Sequence, residues 1–438
     1  MKRLFINYLI ISILIFSALT SCGGSSNKNP NLPANENPKD YKFAASDMAR
    51  DESPNVLQSD MDELVAGNSE FAFDLYQEIK SSDGNLFYSP FSISQALAMT
   101  WAGARNNTEK EMAETLHYTL GQSALHPAFN KLDLELHSRG KGAKGKDGKG
   151  FRLNIANSTW GQDGWSGLPD FLDVLALNYG AGMRLVDFRQ SPNQCRVIIN
   201  TWVEDKTEDR IKNLIPEGII SPDTRLVLVN AIYFNAAWKF PFEEENTQPG
   251  EFVLLDGNKV STDMMRGSEE HGYTEGNGYK ACELMYDKSE LSMVIVLPDM
   301  DSFDEIESSM NAEFIRGIID NLSDKSVDVT MPKYEFESQF SLVDTLAAMG
   351  MPDAFSGAAD FSGMDGSLRL VITEIIHKAF ISTDEAGTEA AAATAVIMNE
   401  KGMAEFAEFK VDRPFIFLIR DIETGAILFV GRVLNPKA

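Results

Sequence analysis

Glu385-Ala386-Gly387-Thr388-Glu389-Ala390-Ala391-Ala392-Ala393-Thr394-Ala395 is the stretch on which the fold turns. Intrinsic propensity alone favours a helix here, because alanine gives up no side-chain entropy on coiling. Propensity is a weak prior, and the surroundings suit a strand. No proline stands between Val371 and Arg413, so every backbone N–H in this stretch is available as a ladder donor. In an extended conformation Thr388, Ala390, Ala392, Thr394, Val396 and Met398 fall on one face, and none is charged. Glu389 falls on the other face, where water can reach it. Small residues come first and larger apolar ones follow, as suits a strand that slides between neighbours before filling the space beneath them.

Strand signals recur on both sides of this stretch. Downstream, Pro414 to Ile419 and Ala426 to Val433 are apolar runs split by the turn-like Glu423, Thr424, Gly425, and read as a hairpin. Upstream, Arg225 to Phe234 and Leu291 to Leu297 are short runs dense in Val, Ile, Leu and Phe, as expected of strands buried on both faces. Ser92 to Ala104 differs, placing Ile93, Ala96, Leu97, Met99 and Ala102 on a helical stripe that would bury against a sheet. The mixture without strict alternation predicts an α+β arrangement.

The chain divides into three. Lys2 and Arg3 precede an apolar run to Leu19, and Leu19-Thr20-Ser21-Cys22 resembles a bacterial lipobox, so residues 1–21 read as a lipoprotein signal peptide and Cys22 as the acylated residue. Residues 22–47, rich in Gly, Ser, Asn and Pro, read as a flexible tether, and 48–438 as one large domain. Arg139 to Gly150 carries four lysines among five glycines and reads as a flexible basic loop, since glycine at that density cannot preorganise the lysines for a polyanion.

A net charge of -26 disfavours nucleic acid as a partner and leaves contact with a membrane to the lipid on Cys22. With Cys22 acylated, Cys195 and Cys282 are too few to staple an exported domain and read as buried free thiols, with a single disulfide not implied. There is no Gly-x-Ser-x-Gly elbow, no His-Glu-x-x-His pair, no phosphate-cradling loop and no Cys/His cluster, which speaks against an enzyme, a metal site or a cofactor.

The opening stretch resembles the hinge of a serpin reactive loop. The likeness extends to Asn85-Leu-Phe-Tyr-Ser-Pro-Phe-Ser-Ile-Ser, to Asn230-Ala-Ile-Tyr-Phe with Trp238 behind it, to Asp360-Phe-Ser-Gly and to Asp412-Arg-Pro-Phe-Ile-Phe followed by Phe429-Val-Gly-Arg-Val-Leu-Asn-Pro. It implies three β-sheets, eight or nine helices, and an exposed reactive-centre loop, about residues 385–411, held above a five-stranded sheet. It implies a monomeric suicide-substrate inhibitor of serine, and by extension cysteine, proteases, which the lipobox makes an exported and lipid-anchored one. The alternative is a noninhibitory serpin that serves as a binding or chaperone module. The hinge would comprise Glu385, Gly387, Thr388, Glu389, Ala390, Ala391, Ala392, Ala393 and Thr394. Counting as the family does places the scissile bond between Lys401 and Gly402, which suits a trypsin-like protease with a carboxylate in its specificity pocket. Ser89, Ser92, Asn230 and His377 match the family's shutter, a hydrogen-bonded group beneath the point where the sheet opens, with no catalytic role for His377. Two departures stand out: Asn235, Ala236 and Ala237 occupy the place of a usual Lys-Gly, and Glu208 and Asp209 lie where glycine is frequent. Both are expected to affect local turns only.

Overall fold

The computed structural model describes residues 40–142, 152–388 and 407–438. The central sheet runs β1 (Lys42–Ala44), β4 (Met183–Val186), β3 (Arg152–Gln162), β5 (Leu226–Ala237), β13 (Gly387–Thr388), β12 (Glu374–Asp384) and β11 (Tyr334–Ser341). A second hydrogen-bonded network runs β14 (Ala407–Lys410), β10 (Ser323–Pro332), β7 (Lys259–Gly276), β8 (Tyr279–Met285), β9 (Leu291–Pro298), β15 (Phe415–Asp421), β16 (Ile427–Val433) and β2 (Leu86–Tyr88), with β6 (Gln248–Val253) also on β7. β7 spans 18 residues. Its earlier part pairs with β6 and β10, and its last five residues, Gly272 to Gly276, pair with β8. One long strand thus holds the two ends of this nine-stranded network together.

The helices are α1 (Gln58–Ile79), α2 (Pro90–Trp101), α3 (Asn106–Thr115), α4 (Gln122–Ser138), α5 (Pro169–Tyr179), α6 (Pro192–Lys206), α7 (Phe303–Ser309), α8 (Ala312–Asp320), α9 (Val343–Met349) and α10 (Ser362–Asp365). That is ten among the described residues, where eight or nine were expected; the last is a single turn of four residues.

The predicted central strands are β5 and β9, and the predicted hairpin is β15 with β16. α2 departs from its predicted stripe, since every one of its residues is buried. It lies inside the molecule, against α1 on one side and β3, β5 and β16 on the other, and so has no wet face. Its start is built locally: Ser89 Oγ accepts from the Ser92 backbone N–H at 3.2 Å and Pro90 takes the first turn, where its missing N–H costs nothing.

The boundary at residue 48 is corrected. Lys42 to Ala44 pairs antiparallel with β4, and Tyr41 is buried edge-on against Trp160 at 5.2 Å, so the packed part of the chain already includes residues 40–47. Composition counted the Pro- and Asn-rich stretch as one piece, and the short aromatic Tyr41-Lys-Phe43 was lost inside it. Glu208 and Asp209 do sit where backbone conformation favours glycine, with φ of 51° and 61°. Cys195 and Cys282 are both free and buried. Burial pushes the Cys195 thiol up to about 11, which leaves it unreactive. Among the described residues no helix is long and apolar enough to cross a membrane, and no group of three His, Cys, Asp or Glu side chains is placed to hold a metal ion.

Candidate functional site: the junction of β5 and β12

Two neighbouring strands carry the predicted site. Over most of their length β5 and β12 pair directly and in parallel, from Val227 opposite Glu374 to Tyr233 opposite Phe380. Above that point they part. β13 enters the fork, with Thr388 opposite Ala236 on one side and Thr383 on the other, and Gly387 opposite Ala237 and Asp384. Gly387 and Thr388, near the start of the loop, are therefore already in the sheet.

The turn that feeds β13 is held by groups from both sides of the fork. Trp238 donates its backbone N–H to Ala386 O at 2.9 Å and its indole N–H to Asp384 O at 3.1 Å. The Ala386 N–H is taken by Asp384 Oδ1 at 2.9 Å, and Gly387 follows at φ 155°, a value glycine reaches without strain. Glu385 is buried, and its carboxylate accepts from Lys333 Nζ and Thr247 Oγ1, each at 2.7 Å. Burial raises its pKa, but the hydrogen bonds from Lys333 and Thr247 outweigh that and hold the carboxyl below its usual value. Thr388 has no exposed surface, and its Oγ1 lies 2.7 Å from Tyr286 Oη. The Tyr286 ring stacks on Trp238 at 4.7 Å and 9°.

These contacts correct two expectations. Thr388 does not wait outside the sheet in the intact chain. Ala236 and Ala237, which replace the usual Lys-Gly, are the ladder partners of Thr388 and Gly387, so that departure touches the hinge itself.

Six residues below Ala236 on β5, about 20 Å at the rise of a strand, Asn230 stands opposite His377. His377 is wholly buried; its Nδ1 bonds Asn230 Oδ1 and its Nε2 lies 3.3 Å from the Ser89 backbone nitrogen. A backbone N–H can only donate, so Nε2 is the acceptor and the proton is on Nδ1. Burial pushes the imidazole down to about 3, consistent with a neutral ring. Asn230 Nδ2 donates to Ser92 Oγ at 2.7 Å and to Asn157 Oδ1 at 2.5 Å. Ser92 Oγ donates to Asn157 Oδ1 at 3.1 Å, and Asn157 Nδ2 donates to Gln95 Oε1 at 3.0 Å.

All four predicted shutter residues therefore meet, and a fifth, Asn157 on β3, was missed. It is opposite Asn230 in the ladder, so one row of polar side chains crosses β3, β5 and β12. The available signal was Asn157 falling on the same strand face as the apolar Leu153 and Ile155. The row can bridge the two strands that have to part, because the bond between the buried His377 and Asn230 side chains spans them and is lost when they separate. The remaining predicted positions, namely Glu389, Ala390 to Ala393, Thr394, Lys401, Gly402 and Cys22, lie outside the described residues.

Known proteins resemble the chain along most of its length. The family model described as Serpin (serine protease inhibitor) matches residues 66–436. An uncharacterized serpin-like protein of Thermococcus kodakarensis is 37% identical over 434 residues, covering 98% of each chain. Leukocyte elastase inhibitor of Xenopus laevis is 38% identical over 386 residues, covering 86% of this chain and 100% of that one. Among solved structures, a thermophilic serpin, tengpin, in its native state matches with a TM-score of 0.78 at 29% identity, over 90% of this chain and 99% of that one.

Proposed function

The chain belongs to the serpin family, and on that premise we propose that it inhibits proteases as a suicide substrate. A protease serine attacks the Lys401 carbonyl, the peptide bond to Gly402 breaks, and the Gly402 amine leaves as an ester forms on the enzyme. The cut loop then continues from Thr388 down between β5 and β12. Its insertion carries the ester-linked protease away from the loop's original place and distorts it before water can release the acyl group. The native form acts as a store of free energy that cleavage releases.

The observation that carries this reading is the seating of Gly387 and Thr388 between β5 and β12, with uncharged and mostly small residues following in sequence on the face of Thr388. A strand already started into a fork has only to lengthen, replacing each β5–β12 bond by two. The noninhibitory alternative would be favoured by a charge or a proline in the hinge on that face, and Thr388 to Met398 has neither there. We read the target as trypsin-like from Lys401, and the protein as an exported monomer tethered by a lipid on Cys22.

Incubation with a trypsin-like and an elastase-like protease tests this. The expected result is a denaturant-resistant complex with the former and a released peptide beginning at Gly402. Clean turnover of the chain by both, with no complex and no gain in thermal stability after cleavage, would overturn it.

A further inference from the structure

Loop insertion needs β5 to separate from β12, and β5 carries β3 and β4 with it on its far side. The segment ahead of α1 fastens that flank to the helical body. Lys42 to Ala44 pairs along β4, and the side chains on its two faces grip differently. Tyr41 and Phe43 join Trp160 and Trp202 as walls of an aromatic box around the Arg184 guanidinium, whose carbon lies 5.8, 5.3, 5.8 and 4.5 Å from the four ring centres respectively. Lys42, on the opposite face, reaches Asp163 at 2.7 Å.

Past the strand the chain crosses to the helices. Ser46 Oγ donates to Asp173 Oδ1 on α5 at 2.5 Å, and the Asp51 N–H donates to Leu177 O at 2.9 Å. Arg50 donates through Nε to Asn130 Oδ1 at 2.7 Å and through Nη2 to Asp133 Oδ2 at 2.6 Å, both on α4. Asn130 Nδ2 bonds back to Asp51 O at 2.7 Å. The other oxygen of the buried Asp133 accepts from Gln95 Nε2 at 3.1 Å, and Gln95 belongs to α2, whose first turn holds the Asn230–His377 row.

We propose that residues 41–51 form a strap that ties the β4–β3–β5 flank to α4 and α2, restrains the parting of β5 from β12, and on undocking speeds entry of the reactive loop. Room for one more strand means a shift of about 4.8 Å, and hydrogen bonds of the lengths above cannot stretch that far. Moving Arg50 off also strands the buried Asp133 carboxylate without its charge partner. The strap begins inside the stretch read as the tether, residues 22–47, so a cut or a pull on the part ahead of Tyr41 acts at the sheet edge. The proposal concerning loop entry rests on the reading under Proposed function.

The test uses the full chain as wild type, as the double variant Tyr41→Ala/Phe43→Ala, and as Arg50→Met, which leaves the β1–β4 pairing in place. Amide hydrogen exchange is followed in the β5–β12 ladder and in the β15–β16 ladder, together with the rate at which the uncut loop becomes resistant to trypsin on warming. We expect exchange in β5–β12 and conversion of the loop to rise about tenfold in both variants, with β15–β16 unchanged. An equal rise in both ladders, or wild-type rates in both, would overturn the strap. If β5–β12 exchange rises selectively but no form of the protein ever inserts its loop, the strap stands and the inhibitory reading falls. Should the double variant fail to fold, Arg50→Met carries the comparison.

Discussion

Replacing Thr388 by arginine probes the fork directly. In the intact chain the Thr388 side chain has no exposed surface and bonds Tyr286 at 2.7 Å, so a guanidinium there would be buried with a neutral phenol as its hydrogen-bonding neighbour. Keeping it in costs roughly 3–5 kcal/mol, the typical penalty of an uncompensated buried charge. Letting β13 leave the fork costs the Thr388–Tyr286 bond and the ladder bonds of two residues, roughly 3 kcal/mol at about 1 kcal/mol per bond. Expulsion is the cheaper route and caps the loss. Thr388→Arg is therefore expected to fold with its hinge outside the sheet and about 2–3 kcal/mol less stable than wild type.

After cleavage the same arginine must enter again before any later residue can, so insertion slows and water wins the competition for the acyl-enzyme. Trp238, stacked on Tyr286, should report the expulsion as a change in fluorescence, and denaturant unfolding gives the stability. Mixed with a trypsin-like protease, the variant should be cut at the wild-type bond and release active enzyme. A variant that retains wild-type Trp238 emission and forms covalent complex with undiminished stoichiometry would refute the argument, since neither a seated hinge nor insertion would then depend on position 388.

Acid should destabilise the fold. Burial lowers His377 to about 3 and His126 and His271 to about 4, against about 6.5 in an unfolded chain. Below pH 6.5 the unfolded chain gains protons that the folded one refuses, so stability is level above that pH and falls by up to about 1.4 kcal/mol per unit per histidine towards pH 4. Denaturation midpoints between pH 4.5 and 7.5 check this, and the slope should be shallower by about a third in His377→Gln. Asn157→Ala should cost about 2 kcal/mol, and together with Asn230→Ala less than the sum of the two, because both changes break one network; strict additivity in denaturant unfolding would exclude that. Lys401→Ala should keep the fold and lose inhibition of trypsin-like enzymes, as read from residual protease activity. Cys22→Ser should release the protein from membranes, and unchanged retention on fractionation would count against the lipobox.

What the sequence determined by itself is what a few adjacent residues decide. Alternation along Thr388 to Met398, the absence of proline and the run of small side chains mark a segment able to join a sheet, since faces alternate every residue wherever the strand lies. Ser89-Pro90 opens α2 because capping acts within three residues. The resemblance to the family singled out Ser89, Ser92, Asn230 and His377 one position at a time, without the contacts among them.

The tertiary structure alone decided which strands face each other and in what register. Asn157 joins the polar row across 65 residues from Ser92, Tyr286 meets Thr388 across 102, and His377 meets Asn230 across 147. No periodicity within a segment encodes such pairings, because they follow from how whole strands dock. The same reason hid the strap: Tyr41-Lys-Phe43 is too short to show a period, and it becomes a strand only where the edge of β4 and the guanidinium of Arg184 are waiting for it.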